Sequence, residues 1–210
     1  MEIRKLTECL EKVSKVICVI LLCYCDLLSL AGSNIYLPEV STAEIIGSDV
    51  FFEIIEPKEL EYTYRIRPAK DFGVTFNETF SGRSVPLVPV DPPHGCSWPQ
   101  NAEQLEGSVA LIDRGDCSFL SKTLRAEQAG ARAVIVTDSL EDHDELYIEM
   151  IDDNTDREVH IPAGFLVGKN GIMIKRTLEK LQRVYAVINI PVNLTFTSAY
   201  KINEPPWMVW

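Results

Sequence analysis

Residues 107–138 read GSVALIDRGDCSFLSKTLRAEQAGARAVIVTD, and this stretch decides the fold class. Residues 109–112 are an apolar run of strand length, ended by Arg114-Gly115. Residues 118–129 then carry a helical pattern: Ser118 stands at the N-cap, Leu120 and Leu124 share a face, and Gly130 supplies the stop. Residues 133–136 resume as a second buried strand. Strand, helix and strand within thirty residues make a βαβ unit, in which the crossover helix brings the chain back parallel to its first strand.

Working outward, residues 50–55 (VFFEII) and 60–67 (LEYTYRIR) are aromatic and β-branched. Glu56-Pro57-Lys58-Glu59 turns the chain between them, which predicts a hairpin whose second strand stops at Pro68. Residues 85–90 are extended, and Pro86 and Pro89 predict an edge strand, since each lacks an N–H for a neighbour. Pro92, Pro93 and Gly95 mark a loop leading to Cys96. After the βαβ unit, residues 163–167 read as a strand and residues 171–182 as a helix with Ile174, Leu178 and Leu181 on one face. Residues 186–190 (AVINI) form a last strand. The expected fold is mixed α/β, with antiparallel strands before and after a parallel core and two main helices.

A chain of 210 residues with 46% apolar and 24% charged residues has the composition of a globular protein. Its net charge of -11 argues against nucleic acid or anionic lipid as partners, both of which call for a basic face. Arg4, Lys5, Lys12 and Lys15 precede an apolar run over residues 16–30, and Ser29-Leu30-Ala31 fits a small-x-small cleavage site. This order predicts a secretory signal peptide over residues 1–31, hence a secreted protein without a stable membrane anchor after cleavage. The competing anchor reading is weaker. Fifteen helical residues rise only about 22 Å against a hydrocarbon core of roughly 30 Å, and Asp26 would lie inside it.

Four of the six cysteines (Cys9, Cys18, Cys23 and Cys25) leave with such a leader. The remaining pair, Cys96 and Cys117, is expected to form a disulfide in an oxidising compartment. The rival reading makes Cys117 the nucleophile of a cysteine hydrolase, with His94, His143 or His160 as base. Asn77-Glu78-Thr79 and Asn193-Leu194-Thr195 are sequons, so Asn77 and Asn193 are expected N-glycosylation sites.

The stretch 107–138 resembles the signature of the protease-associated domain family. The resembling residues are Ala110-Leu111-Ile112, Arg114-Gly115, Cys117, Phe119, Lys122, Ala129-Gly130-Ala131, Ala133-Val134-Ile135 and the later Ile161-Pro162-Ala163. The likeness continues through Ala69-Lys70-Asp71-Phe72-Gly73, Ile190-Pro191-Val192-Asn193 and Pro205-Pro206-Trp207 with Trp210, as in a small secreted family member that consists of the module alone. The resemblance implies one protease-associated domain over residues 49–192, a mixed sheet or open barrel with βαβ units. A loose segment (32–48) precedes it and a tail (193–210) follows. It also implies a non-catalytic module, which elsewhere is appended to peptidases, plant vacuolar sorting receptors and membrane-bound ubiquitin ligases. The expected partner is a protein or peptide, with a peptidase or its substrate among the candidates; the alternative role is an accessory subunit docking on a separate peptidase.

Arg114-Gly115-Asp116 is an RGD tripeptide, but its place between a strand, a helix and the expected cross-link favours a tight turn over an integrin ligand. Arg114, beside the N–H groups of a helix start, has the chemistry to hold a peptide carboxylate. The corresponding loop of the vacuolar sorting receptors belongs to their cargo-binding region, so the resemblance implies peptide binding at Arg114, Gly115 and Asp116. The alternative has Arg114 paired with a nearby acid such as Asp113 or Asp116. Residues 138–158 hold ten carboxylates, read as a solvated acidic loop. A calcium site on Asp152, Asn154, Asp156 and Glu158 is disfavoured, because Arg157 stands where such a loop needs glycine. No cofactor, metal site or catalytic residue is expected, since nucleophile elbow, zinc helix and phosphate loop are all missing from the sequence. Trp207 and Trp210 either pack on the sheet or present a partner contact.

Overall fold

The structure is a computed structural model that describes residues 49–76, 80, 82–138 and 147–194. The expected leader, the segment 32–48, Asn77, His143 and the two C-terminal tryptophans lie outside the described residues. In chain order the elements are β1 (Val50–Glu56), a 3-10 turn (Lys58–Leu60), β2 (Tyr62–Pro68), β3 (Gly82–Pro89) and α1 (Ala102–Leu105). There follow β4 (Val109–Asp113), α2 (Phe119–Gln128), β5 (Ala133–Thr137), β6 (Ala163–Leu166), α3 (Gly168–Lys180) and β7 (Ala186–Ile190).

The strands form a closed barrel in the order β1-β2-β6-β5-β4-β3-β7, completed by pairing of β7 with β1. β3, β4, β5 and β6 are mutually parallel; β2 and β7 pair antiparallel with β6 and β3 at the two flanks of that set, and β1 pairs antiparallel with both β2 and β7. The βαβ unit and the hairpin thus stand where the sequence places them, and the sheet goes one step further by closing on itself.

Closure overturns one expectation. β3 is not an edge strand but lies between β4 and β7, with Pro86 opposite Val187 and Pro89 opposite Leu111. The ladder bypasses the missing N–H groups: Val90 N–H donates to Leu111 O at 3.0 Å, and the register against β7 shifts between Gly82 and Val85. A proline is compatible with an interior strand where a register break or the strand end relieves the demand for a donor.

Alternation sorts the strand residues into two apolar layers. Phe52, Ile54, Tyr64, Ile66, Leu87, Leu111, Ile135 and Ile188 fill the barrel. Phe52 stacks on its cross-strand partner Tyr64 with centroids 5.0 Å apart, and the Tyr64 hydroxyl donates to Leu60 O at 3.0 Å. The alternate residues Val88, Ala110, Ile112, Val134, Val136 and Phe165 face outward, covered by Leu105 of α1, Ala126 of α2 and Met150.

Helix α2 starts where Ser118 accepts the N–H of Ser121 at 3.1 Å, as its N-cap role predicts. It ends in a Schellman pattern, with Ala131 N–H on Ala126 O, Gly130 N–H on Glu127 O and Gly130 at φ +87. Helix α3 begins three residues before the expected start. It lies across the barrel end where β4 and β5 finish, burying Gly168, Gly171, Ile174 and Leu178. Leu181, expected on that face, is instead the C-cap residue and is exposed, because the helix has ended.

The α3 terminus repeats the Schellman pattern without a glycine. Arg183 N–H donates to Leu178 O and Gln182 N–H to Glu179 O, with Gln182 held at φ +53. Gln182→Gly removes the Cβ conflict of that left-handed residue and is expected to raise stability by about 0.5–1 kcal/mol, read as a higher denaturant midpoint at constant m-value.

Candidate functional site

Because β3 to β6 run the same way, the chain leaving each of them emerges at one end of the barrel. The carboxyl ends of parallel strands are where α/β proteins gather variable loops over a fixed scaffold. Here these are the β3–α1 loop (90–101), the β4–α2 turn (114–118), the segment after β5 that starts at Asp138, and the β6–α3 junction at Val167.

The β3–α1 loop is closed at its base and tied within. Gln100 N–H donates to Asp91 O at 2.6 Å, Asp91 N–H to the Asn101 side chain at 3.0 Å, and Gly95 N–H to Pro92 O at 3.0 Å. Cys96 bonds to Cys117 across to the β4–α2 turn, with their Cα atoms 5.8 Å apart. The sulfur required by the hydrolase reading is therefore engaged, and His94 presents its Nδ1–H to Arg114 O at 3.0 Å rather than serving Cys117. The RGD tripeptide is the tight turn expected of it: Gly115 stands at φ +114, Asp116 at φ +64, and Cys117 N–H donates to Gly115 O.

Lys122 joins the two loops from beneath. It sits one turn into α2 with no exposed surface, and its ammonium donates to His94 O and Gly115 O, each at 2.5 Å. Burial lowers its pKa from 10.5 to about 8, partly opposed by the carboxylates of Asp116 and Asp113. The sequence shows Lys122 only as one residue of a family pattern. The available signal was its position on the buried face of α2 with Leu120, Thr123 and Ala126, where a cation requires fixed acceptors.

The other cations of this end are paired internally. Lys175 of α3 binds Asp113 at the end of β4. Arg114 is paired with an acid, as one reading had it, but the acid is neither Asp113 nor Asp116. It is Asp138 at the end of the adjacent strand, 2.8 Å away, which is almost fully buried while Arg114 is 40% exposed. Parallel pairing of Asp113 with Thr137 carries Arg114 alongside Asp138, a neighbour that the sequence separates by 24 residues. Asp116 remains 70% exposed, with His94 Nε2 at 3.8 Å. Trp98, unnoticed in the sequence, is 57% exposed in the β3–α1 loop, two residues beyond Cys96.

The described part of the acidic segment is tied down locally. Asp153 accepts from the hydroxyls of Ser118 and Thr155 and pairs with Arg157, contacts that lower its pKa, the Ser118 bond foremost. Asp152 accepts Asn154 N–H. Among the described residues no three His, Cys, Asp or Glu side chains converge as a metal site would require. Of the two sequon asparagines, Asn193 is described and exposed at the end of β7. Among the described residues no helix is long and apolar enough to cross a membrane.

This chain is similar in sequence to several known proteins. The PA domain family profile matches residues 83–174, which span β3 to α3. The "PRADC1-like protein" (protease-associated domain containing 1) of Drosophila melanogaster is 59% identical over 182 residues, covering 86% of this chain and 91% of that protein. The ER degradation-enhancing alpha-mannosidase-like protein 3 of Xenopus laevis is 30% identical over 122 residues, 56% of this chain but only 13% of that relative. Among solved structures, a zinc aminopeptidase from Bacillus subtilis aligns with a TM-score of 0.43 at 21% identity, over 67% of this chain and 29% of the enzyme. With its parallel core, its disulfide-tied loops and a relative matched along nearly its whole length, this chain belongs to the protease-associated (PA) domain family.

Proposed function

We propose that this chain is a secreted, N-glycosylated, non-catalytic interaction module that binds a protein or peptide through the loops at the carboxyl end of its parallel strands. The observation that carries this reading is the fixing of those loops: one disulfide and one buried lysine hold two loops together before any ligand arrives. A preorganised surface loses little conformational entropy on binding, which is what a recognition module needs. Arg114, Gly115 and Asp116 are at least partly exposed in the tied β4–α2 turn, and the exposed Trp98 of the tied β3–α1 loop is an aromatic side chain available as an anchor. The groups a hydrolase would use are committed elsewhere, with Cys117 in the disulfide and Lys122 on backbone carbonyls. The small share of the mannosidase-like relative that matches is in keeping with a module appended to other activities.

The test is an intact mass of the protein from the medium of a secretory host, before and after glycan removal, with and without reduction. The expected result is a chain starting near Gly32, glycan at Asn77 and Asn193, and two cysteines alkylated only after reduction. Retention in the membrane fraction, or a cysteine labelled without reduction, overturns the compartment and the non-catalytic reading together. Binding is then measured with immobilised protein, where retention of a folded peptidase but of no peptide selects the accessory-subunit role.

A further inference from the structure

A lysine ammonium carries three N–H donors. Those of Lys122 meet His94 O and Gly115 O at 2.5 Å each, and Cys96 Sγ stands 3.5 Å from the same nitrogen. A disulfide sulfur is a weak, neutral acceptor, so the oxidised chain leaves the third donor poorly used. A thiolate in its place puts a full negative charge against a desolvated cation, where such a pairing is strong. Asp116 of the β4–α2 turn and Asp113 of β4 act on the same ammonium and favour its charged form. Asp113 also binds Lys175 of α3, and His94 turns its ring to Arg114 O and Asp116. Lys122 is thus still charged at neutral pH beside one sulfur of the bond, and both cysteines are only half-buried.

We propose that Cys96–Cys117 is a reversible thiol–disulfide exchange site, opened by a dithiol, with Cys96 as the leaving sulfur against the Lys122 ammonium. A thiolate of the dithiol attacks Cys117 Sγ. A new S–S bond forms there as the Cys96–Cys117 bond breaks, and the electron pair of the broken bond stays on Cys96 as a thiolate. The second thiol of the donor, deprotonated, attacks the donor sulfur of the mixed disulfide and releases Cys117, which takes up a proton. The chain gains two electrons, the donor leaves as its disulfide, and the remaining proton goes to solvent. Exchange runs faster through the sulfur whose departure leaves the better-stabilised anion. Lys122 also bridges the two loops through His94 O and Gly115 O, which keeps them adjacent after reduction and lets the bond re-form. Redox state thereby sets whether the β3–α1 loop and the β4–α2 turn are covalently one surface. This goes beyond the interaction-module reading, since binding by the oxidised chain does not depend on it.

The full oxidised chain is treated briefly with 2-mercaptoethanol, and the adducts are trapped by acid and mapped by mass. In parallel it is reduced with dithiothreitol and alkylated over a range of pH, both in buffer and in concentrated urea. The expected adduct lies on Cys117, in about tenfold or greater excess over Cys96. Alkylation of Cys96 in the folded reduced chain is expected to reach half its maximal rate about one pH unit or more below the value in urea. Oxidised dithiothreitol should then restore the bond. An adduct mainly on Cys96, or a Cys96 profile that is the same in buffer and in urea, overturns the assignment of the leaving sulfur. A bond that dithiothreitol opens only in urea, or that does not re-form, overturns the exchange site itself. In Lys122→Met the Cys96 profile is expected to rise to the urea value, and a profile that stays low overturns the role of Lys122. Should that variant fail to fold, the wild-type measurements decide by themselves.

Discussion

Replacing Lys122 by methionine is expected to destabilise the protein by roughly 2–4 kcal/mol at pH 9–10, and by less at pH 7. Methionine nearly matches the lysine stem in volume but donates nothing. His94 O and Gly115 O, each now bonded at 2.5 Å, are left without this donor beneath the disulfide. The pH dependence follows from the depressed pKa. In the fold Lys122 gives up its proton near pH 8, whereas in the unfolded chain it holds it to about 10.5. Between those values the unfolded state binds more protons, so this group's contribution to stability rises with pH through the window and is lost as pH falls back through about 8. The neutral amine still has two N–H groups for the two carbonyls and no longer carries the cost of a buried charge. The gap between wild type and Lys122→Met should therefore widen by on the order of 2 kcal/mol from pH 7 to pH 10. Urea unfolding of both proteins at the two pH values measures it. A gap that stays constant or narrows would mean that Lys122 is not held as a desolvated cation.

Gly171→Val is expected to cost about 3 kcal/mol or more and to lower the melting midpoint by on the order of 10 °C. A Cβ at position 171 would lie 2.1 Å from Thr137 Oγ1 and 2.5 Å from Thr137 Cβ and Cγ2. No rotamer of Thr137 relieves a conflict with its own Cβ, so the helix must move. Helix α3 closes one end of the barrel with Ile174 and Leu178, and its displacement strips both from the core. Glycine is required here for close approach and not for backbone conformation. A double-mutant cycle with Gly171→Ala and Thr137→Gly tests the point: the second change should recover part of the loss caused by the first. Purely additive losses would place the strain elsewhere.

These two residues mark the limit of what the chain reveals when read in order. The elements of 107–138 were legible because each is defined by neighbours: alternation or a run of apolar residues for β4 and β5, and a capping serine and terminal glycine for α2. The Cys96–Cys117 pairing was legible because a secreted reading left only two cysteines to pair. Gly171 gave no signal, since its reason lies in Thr137, on the strand it packs against. Arg114 was recognised as a residue with something to bind, but its partner Asp138 comes from the register of β4 against β5. Pro86 and Pro89 pointed to an edge in a sheet that has none, because proline reports only that a donor is missing and not whether a register break accommodates it.

By itself the sequence determined the order of the strands and the two main helices and the parallel sense of the βαβ unit, through periodicity and capping along the chain; the cross-link followed from the cysteine count and the family from resemblance. Tertiary structure alone decided the closure of the barrel, the burial of Lys122 under two loops, and the pairing of Arg114 with Asp138 and of Lys175 with Asp113. The physical reason is that these outcomes depend on which distant residues are brought together when the sheet curls and its register is set, and burial or pairing then fixes the charge that is left to face solvent.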